Sequence, residues 1–291
     1  MKNPETHCGT IAIVGRPNVG KSTLLNKILG EKLTITSPKP QTTRHQILGI
    51  KTEGQTQFIY IDTPGIHQNT QRRLNRALVR SAVNALIDVD MIGFVIEANR
   101  WTAEEEAILD RLKHQKHPVI LIVNKIDKIK NTHRLLPFLQ SCQEKMNFLA
   151  IVPVSGQKGK NIDELEKVIA DALPAAEFVY PPEVSTDRSQ RFLAAEFIRE
   201  KLMRHLHEEL PYWLTVSIEQ LVEQKRIIKI SAIIWTERSS QKAIIIGKKG
   251  ELLKKVGTEA RIQLETCFGK KVFLALWVKV KAGWSEEEGS L

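Results

Sequence analysis

A chain of 291 residues, 42% hydrophobic and 26% charged, is long enough for two packed domains and too ordinary in composition for a disordered or fibrous protein. Lys and Arg number 43 against 33 Asp and Glu, a net charge of +10, and residues 225–281 alone hold 14 basic and 4 acidic side chains, so the whole net charge sits in that segment. Such an imbalance points to a polyanion, either nucleic acid or an anionic membrane surface. Cys8, Cys142 and Cys267 are widely spaced and lack a metal-ligand pattern, which fits reduced structural thiols inside a cell. The first residues have no apolar signal-peptide core, and the longest apolar runs, such as 119–123 and 243–246, are too short to cross a bilayer. A cytoplasmic protein without a transmembrane segment is expected.

Taken in order, residues 11–14 predict a buried parallel strand and 21–29 its crossover helix. A polar loop over 37–45, broken by two prolines, leads to strands at 45–51 and 57–61 that form a hairpin around Glu53-Gly54. A helix follows at 73–86 and a strand at 91–97. Thr102 and Glu105 have capping-box spacing and open a helix to about residue 113. Next come a strand at 119–123, a helix over roughly 132–146, a strand at 148–154 and a helix at 163–173 capped by Asn161. Alternation at these lengths predicts a doubly wound α/β sheet over residues 1–179, with ligands at the carboxyl ends of its strands. Pro181-Pro182 opens a linker, and residues 180–291 form a second domain. Its expected order is an amphipathic helix at 187–207 capped by Thr186, strands at 213–219 and 226–236, helices at 241–246 and 252–268, and a strand at 271–280.

Gly15-Arg-Pro-Asn-Val-Gly-Lys-Ser22 stands between a strand and a helix, the context that makes G-x-x-x-x-G-K-[ST] a phosphate cradle. Gly15 and Gly20 let the backbone approach a polyphosphate, and the N–H groups of Asn18, Val19, Gly20, Lys21, Ser22 and Thr23 face the anion at the helix start. Lys21 can neutralise the β- and γ-phosphates, while Ser22 can ligate Mg²⁺. Asp62-Thr-Pro-Gly65 adds a carboxylate for Mg²⁺ and a Gly65 N–H that senses the γ-phosphate. Thr43 is the candidate to close over metal and γ-phosphate; spacing does not separate it from Thr42. Asn124-Lys125-Ile126-Asp127 fits N-K-x-D, in which Asp127 accepts the ring N1–H and 2-amino group of guanine, donors that adenine lacks. Asn124 ties the loop, the Lys125 stem lies along the base, and N–H groups around Ser155-Gly156 meet O6. The chemistry is GTP binding and hydrolysis to GDP; Asp127 disfavours an ATP enzyme.

Gly247-Lys-Lys-Gly250 joins two predicted helices inside the basic segment, in a helix-strand-strand-helix-helix-strand order. That matches a KH module, whose G-x-x-G loop clamps about four unpaired nucleotides. Lys248 and Lys249 meet phosphates; Lys254 and Lys255 extend the patch, and residues 244–246 with Leu252 and Leu253 are expected in the core.

The order of these motifs resembles the translation-factor-related GTPases, and Asn18 with Gln41-Thr-Thr-Arg-His45 resembles their Era-type branch. So do Asp187-Arg-Ser-Gln-Arg191, Arg199-Glu-Lys-Leu-Met-Arg204, Glu209-Leu-Pro-Tyr212 and Leu276-Trp-Val-Lys-Val-Lys281. The resemblance covers nearly the whole chain. It implies a P-loop G domain followed by a type II KH domain, a GTP hydrolase acting in small-subunit ribosome assembly, and partners in the 30S subunit and the 3′ end of its ribosomal RNA. It also implies a monovalent cation at Asn18, and peripheral attachment to the inner membrane is known in the family. Where Ras-like relatives place a water-orienting Gln, this chain has Ile66, so no catalytic side chain is evident and slow intrinsic hydrolysis is expected. Ser155-Gly156 departs from the more usual Ser-Ala. An alternative of another class is a nucleotide-controlled protein whose basic domain docks on a membrane or a protein.

Overall fold

The structure is a computed structural model that describes residues 6–39, 42–65, 88–129, 132–208 and 210–281. Two compact units divide the chain, one of residues 1–36 and 43–187, the other of residues 37–42 and 188–291. The expected helix at 73–86 and Ile66 lie outside the described residues.

In the first unit β1 (His7–Val14) pairs in parallel with β3 (Thr56–Asp62) and with β4 (Met91–Glu97). β2 (Ile47–Glu53) joins β3 as an antiparallel hairpin. β5 (Val119–Asn124) and β6 (Ala150–Pro153) continue in parallel, giving the order β2-β3-β1-β4-β5-β6 and a mixed sheet. Alternate residues of β1 face opposite layers, as strand geometry requires. Ile11 and Ile13 pack with α1 (Lys21–Leu29) and α4 (Ile162–Ala172) through Leu24, Leu25, Leu165 and Ile169. Ala12 and Val14 pack with α2 (Ala103–Leu112) and α3 (Leu135–Gln143) through Ile108, Leu109, Leu112 and Cys142. Helices therefore cover both faces, and the loops that carry the motifs leave the carboxyl ends of β1, β3, β5 and β6.

Thr102 and Glu105 form the expected capping box. Asn161 does not cap α4: its backbone is left-handed at φ 58, and its amide donates to Pro153 O at 2.7 Å, fastening the loop to β6 instead. The helix expected at 132–146 is shorter, a single 3₁₀ turn at Thr132–Arg134 preceding α3. Pro137 can sit in the first turn of α3, where its missing N–H has no helical acceptor, but not deeper in an earlier-starting helix.

The second unit is a three-stranded sheet, order β7-β8-β9, with β7 (Leu214–Glu223) antiparallel and β9 (Lys271–Val280) parallel to the central β8 (Ile227–Thr236). Helices α5 (Gln190–His205), α6 (Ser239–Ile246) and α7 (Glu251–Phe268) cover one face, their core including Ile198, Leu202, Ile245, Val256 and Ala260. The cap of α5 is Ser189, whose hydroxyl accepts from Phe192 N, rather than Thr186. α5 is not simply amphipathic: Glu196 pairs with Arg199, and the fully buried Glu200 with Lys201 and Arg204. Ile244, expected in the core with Ile245, is 56% exposed.

Burial separates the three thiols, since Cys8 and Cys142 are buried and Cys267 is half-buried, and burial pushes the Cys142 thiol up to about 11. A chromogenic disulfide at about pH 8 should therefore titrate one fast thiol, Cys267, in the native protein and three after denaturation. Fast reaction of Cys142 would show that the α3 layer opens.

Candidate functional site: a nucleotide cradle and a basic groove

Gly15 adopts φ 153, and a Cβ there would come within 2.3 Å of Val95 O; Gly20 adopts φ 98, where a Cβ would lie 2.5 Å from the Asn124 amide. Neither position admits a side chain, so the loop 15–20 packs closely against the end of β4 and the Asn124 amide. α1 begins at Lys21 with no side-chain cap and no acidic residue in its first turn. That leaves orphan N–H groups and the positive helix end open to an anion. Lys21 is buried, its Nζ donating to Gly15 O at 3.0 Å and Arg16 O at 3.1 Å. Burial pulls its pKa down to about 8 against the attraction of Asp62.

Three oxygens converge beside it. Ser22 Oγ donates to Asp62 Oδ2 at 2.9 Å and lies 3.1 Å from Thr43 Oγ1. Thr42, the competing threonine, turns its hydroxyl to Lys39 O at 2.7 Å. Asp62 is fully buried, and burial raises its carboxyl to about 6 although Lys21, Ser22 and Thr43 favour the charged form. Its Oδ1 is buried without a hydrogen-bond partner. Hard oxygen donors with an orphaned carboxylate oxygen suit a Mg²⁺ ion. Gly65 lies against the loop, where a Cβ would come within 2.9 Å of Pro17.

The base-reading residues meet through Asn124, which is 2% exposed. Its amide donates to Val19 O at 2.9 Å, and its Oδ1 accepts from Lys125 N at 2.8 Å and Gly156 N at 3.0 Å. The Gly156 N–H, one of those expected near a base O6, is thus engaged by Asn124. Glycine at this position has a steric cause, since a Cβ would stand 2.9 Å from Leu24 Cα. Asp127 is exposed and held by Ser155 Oγ at 2.5 Å, leaving its carboxylate edge accessible. Lys125 adopts φ 65 and donates to Asn18 O at 2.6 Å and Glu97 at 3.1 Å, so its stem spans from the N-K-x-D turn to the loop.

Three residues of the cradle escaped the sequence reading: Arg16, Glu97 and Glu105. Arg16 is buried and pairs with Glu97 at 3.1 Å and with Glu105, the same glutamate that caps α2. The capping box thus also anchors the phosphate loop.

In the second unit Gly247 has φ 74 and Gly250 φ 79, and Lys249 between them is left-handed at φ 51. A non-glycine residue held there stores strain in a tight loop that presents the exposed Lys248 and Lys249. Beside it a groove of about 410 Å³ runs between α7 and β9, lined by Gly250, Leu253, Lys254, Arg261, Leu274 and Leu276. Leucines form its floor and cations its rim. Lys255 is exposed on α7 but does not line the groove; Arg261 does, and the helical period seven residues from Lys254 was the signal for it.

A family model described as a 50S ribosome-binding GTPase matches residues 10–125, and one described as a KH domain matches residues 209–285. The GTPase Era of Marinobacter nauticus is 53% identical over 290 residues, covering 100% of this chain and 95% of that protein. The chain belongs to the Era family of GTPases. The GTPase Era of Pseudomonas aeruginosa is 52% identical over 98% of this chain and 94% of its own. Among solved structures, Era in complex with MgGDPNP and nucleotides 1506–1542 of 16S ribosomal RNA superposes with a TM-score of 0.91 at 41% identity, covering 96% of this chain and 95% of that one. A variant of Aquifex aeolicus Era bound to GDP·AlF₄⁻ superposes with a TM-score of 0.92 at 41% identity, covering 96% of each. The family fixes the architecture as a P-loop GTPase domain with a mixed sheet followed by a KH domain, and the activity as that of a GTPase.

Removing the Asn124 amide leaves Val19 O and Gly156 N without their buried partner, a loss of about 2–4 kcal/mol. Asn124→Ala should lower the unfolding free energy by about that amount and weaken guanine-nucleotide binding at least about tenfold. Denaturant unfolding and nucleotide titration read both, and an unchanged stability would remove Asn124 from the centre of the site.

Proposed function

We propose that this Era-family GTPase hydrolyses GTP to GDP with Mg²⁺ and uses its nucleotide state to gate binding of single-stranded 3′-end small-subunit ribosomal RNA by its KH domain, during assembly of the 30S subunit. The observation that carries the proposal is the pairing of two built sites in one chain. One is the cradle around Lys21, Asp62 and Asn124; the other is the leucine-floored groove beside the G-x-x-G loop. A relative solved with MgGDPNP and a 16S ribosomal RNA segment matches both units at once and supports it.

In the cradle, the N–H groups of residues 18–23 and Lys21 bind the phosphates. Ser22, Thr43 and the orphaned oxygen of Asp62 would hold the Mg²⁺, which when bound supplies positive charge to the β- and γ-phosphates. Gly65 N–H senses the γ-phosphate, and ordering of Thr43 and Gly65 around it is the switch. Asn18, exposed at φ 63, is where a monovalent cation would act. Asp127 reads guanine, with Ser155 fixing its carboxylate and Asn124 fixing Gly156 and the Lys125 N–H. The boundary between the G domain, 1–179, and the linker with the KH domain, 180–291, belongs to the same proposal. Buried Gln57 accepts from Val179 N and Tyr180 N at 2.9 Å and Ser185 O accepts from Ile50 N at 2.8 Å, so the start of that linker is fastened to the first unit. In the second domain the groove takes unpaired nucleotides, while Lys248, Lys249, Lys254 and Lys255 neutralise phosphates. The +10 of residues 225–281 also favours a second reading, peripheral contact with the cytoplasmic face of the inner membrane. Among the described residues no helix is long and apolar enough to cross a membrane.

Asp127→Asn should exchange guanine for xanthine preference, because an amide offers N–H where the carboxylate accepted; competition between GTP and XTP reads it, and retained guanine preference would remove Asp127 from base reading. RNA affinity should be higher with a non-hydrolysable GTP analogue than with GDP and fall at least about tenfold in Lys248→Asp/Lys249→Asp. Equal affinity in both nucleotide states would remove the gate, and binding that moves from RNA to anionic vesicles would favour the membrane.

A further inference from the structure

The three-stranded sheet has two faces, and only one is covered by helices. On β9 the side chains of Val272, Leu274, Leu276 and Val278 turn to the helices and the groove. Those of Phe273, Ala275, Trp277 and Lys279 turn the other way. Phe273 is 58% exposed and Trp277 60%. The parallel register sets Lys229 beside Phe273, Ile233 beside Trp277 and Trp235 beside Lys279. Trp235 is fixed in place, its indole N–H donating to Ser217 Oγ at 2.9 Å and the Lys279 ammonium standing 5.9 Å from its ring. Two large aromatic rings thus stand in water on one strand, and contiguous exposed apolar surface marks a contact.

We propose that this open sheet face, with Phe273 and Trp277 as its rings and Lys229 and Lys279 as its cations, is a second contact surface for single-stranded RNA, a stacking platform on the side of β9 opposite the groove. It rests on the RNA-binding proposal above and extends it. The chemistry is that of aromatic rings on a sheet, which stack unpaired bases while neighbouring cations meet the phosphates. Charge selects the occupant. Lys225, Arg226, Lys271 and Lys281 are exposed at the ends of β8 and β9; among the described residues the acids there are Glu223, which pairs with Lys270, the exposed Glu219 and the half-buried Glu237 just beyond β8, so the rim is basic. A second copy of the chain would bring the same cations against each other. Insertion of the rings into a bilayer would drag Lys229, Ser217, Ser231 and Gln220, on the same face, out of water. Phe273 and Trp277, four residues apart on one strand, lie about 13 Å from each other, room for more than one base. Since β9 is the edge strand, RNA leaving the groove reaches this face by turning around it. The platform therefore serves RNA longer than the groove can hold.

The test uses the full chain with two single-stranded RNAs, one of about four nucleotides, which the groove accommodates, and one about three times as long. Phe273→Ala/Trp277→Ala should weaken the long RNA by about five- to a hundredfold and leave the short one unchanged, while Trp277→Phe on the otherwise native chain keeps most of the affinity. Both side chains are exposed, so the thermal midpoint should hold. Lys248→Asp/Lys249→Asp should weaken both RNAs. Unchanged affinity of the double alanine variant for the long RNA overturns the platform and leaves the groove standing. Loss of binding to anionic vesicles, or of self-association, in place of RNA loss overturns it in favour of those occupants. If the native chain binds neither RNA, the RNA-binding proposal fails together with the platform.

Discussion

One buried amide holds the nucleotide site together. Asn124 reaches from the end of β5 to the phosphate loop through Val19 O, to its own turn through Lys125 N, and to the loop after β6 through Gly156 N. Three segments far apart in sequence thus share one small side chain, which sets the separation between the phosphate cradle and the base reader. The two glycines against it follow from the same constraint: a Cβ on Gly20 would collide with the amide, and one on Gly156 with the backbone of α1. The residue expected only to tie its own loop is a hub for all three.

Around that hub the site is built from charges that the fold alone does not favour. Lys21 is shifted down and Asp62 up, both by burial, so each is held in a place that penalises its charged form. Their mutual attraction offsets only part of that penalty. An anion beside Lys21 and a cation beside Asp62 would each favour the ionised form of its neighbour and offset the cost of burying it. The salt bridges of Arg16 with Glu97 and Glu105 contrast with this pair, because there the protein supplies the partner itself and rigidity is the result.

What was legible in the sequence was what is local. Short apolar runs bounded by glycine, proline or polar turns became β1 to β5, and the strand-loop-helix context of the phosphate loop was decisive because its chemistry is carried by consecutive backbone. Capping was legible where both partners lay within one turn, as for Thr102 and Glu105. It failed for Asn161, whose side chain found a carbonyl eight residues back, and for Thr186, three residues too early for a helix whose own Ser189 caps it. The Arg16 network was illegible because its partners lie 81 and 89 residues away. Thr42 and Thr43 were inseparable by spacing, and only the path of the chain places one hydroxyl beside Ser22 and turns the other to Lys39.

Charge counting has the same limit in the second unit. It located a basic segment without saying which surface the cations serve, since +10 suits an RNA groove, a bilayer or a solvated face equally. Strand alternation divides the question. One set of β9 side chains packs beneath α7 and floors the groove; the other set stands in water with two rings among lysines. On its open face this edge strand carries Phe273 and Trp277 between Lys271 and Lys279, rings and cations together. The edge strand is where the two faces of the unit meet, so a single flexible polyanion can be bound by both.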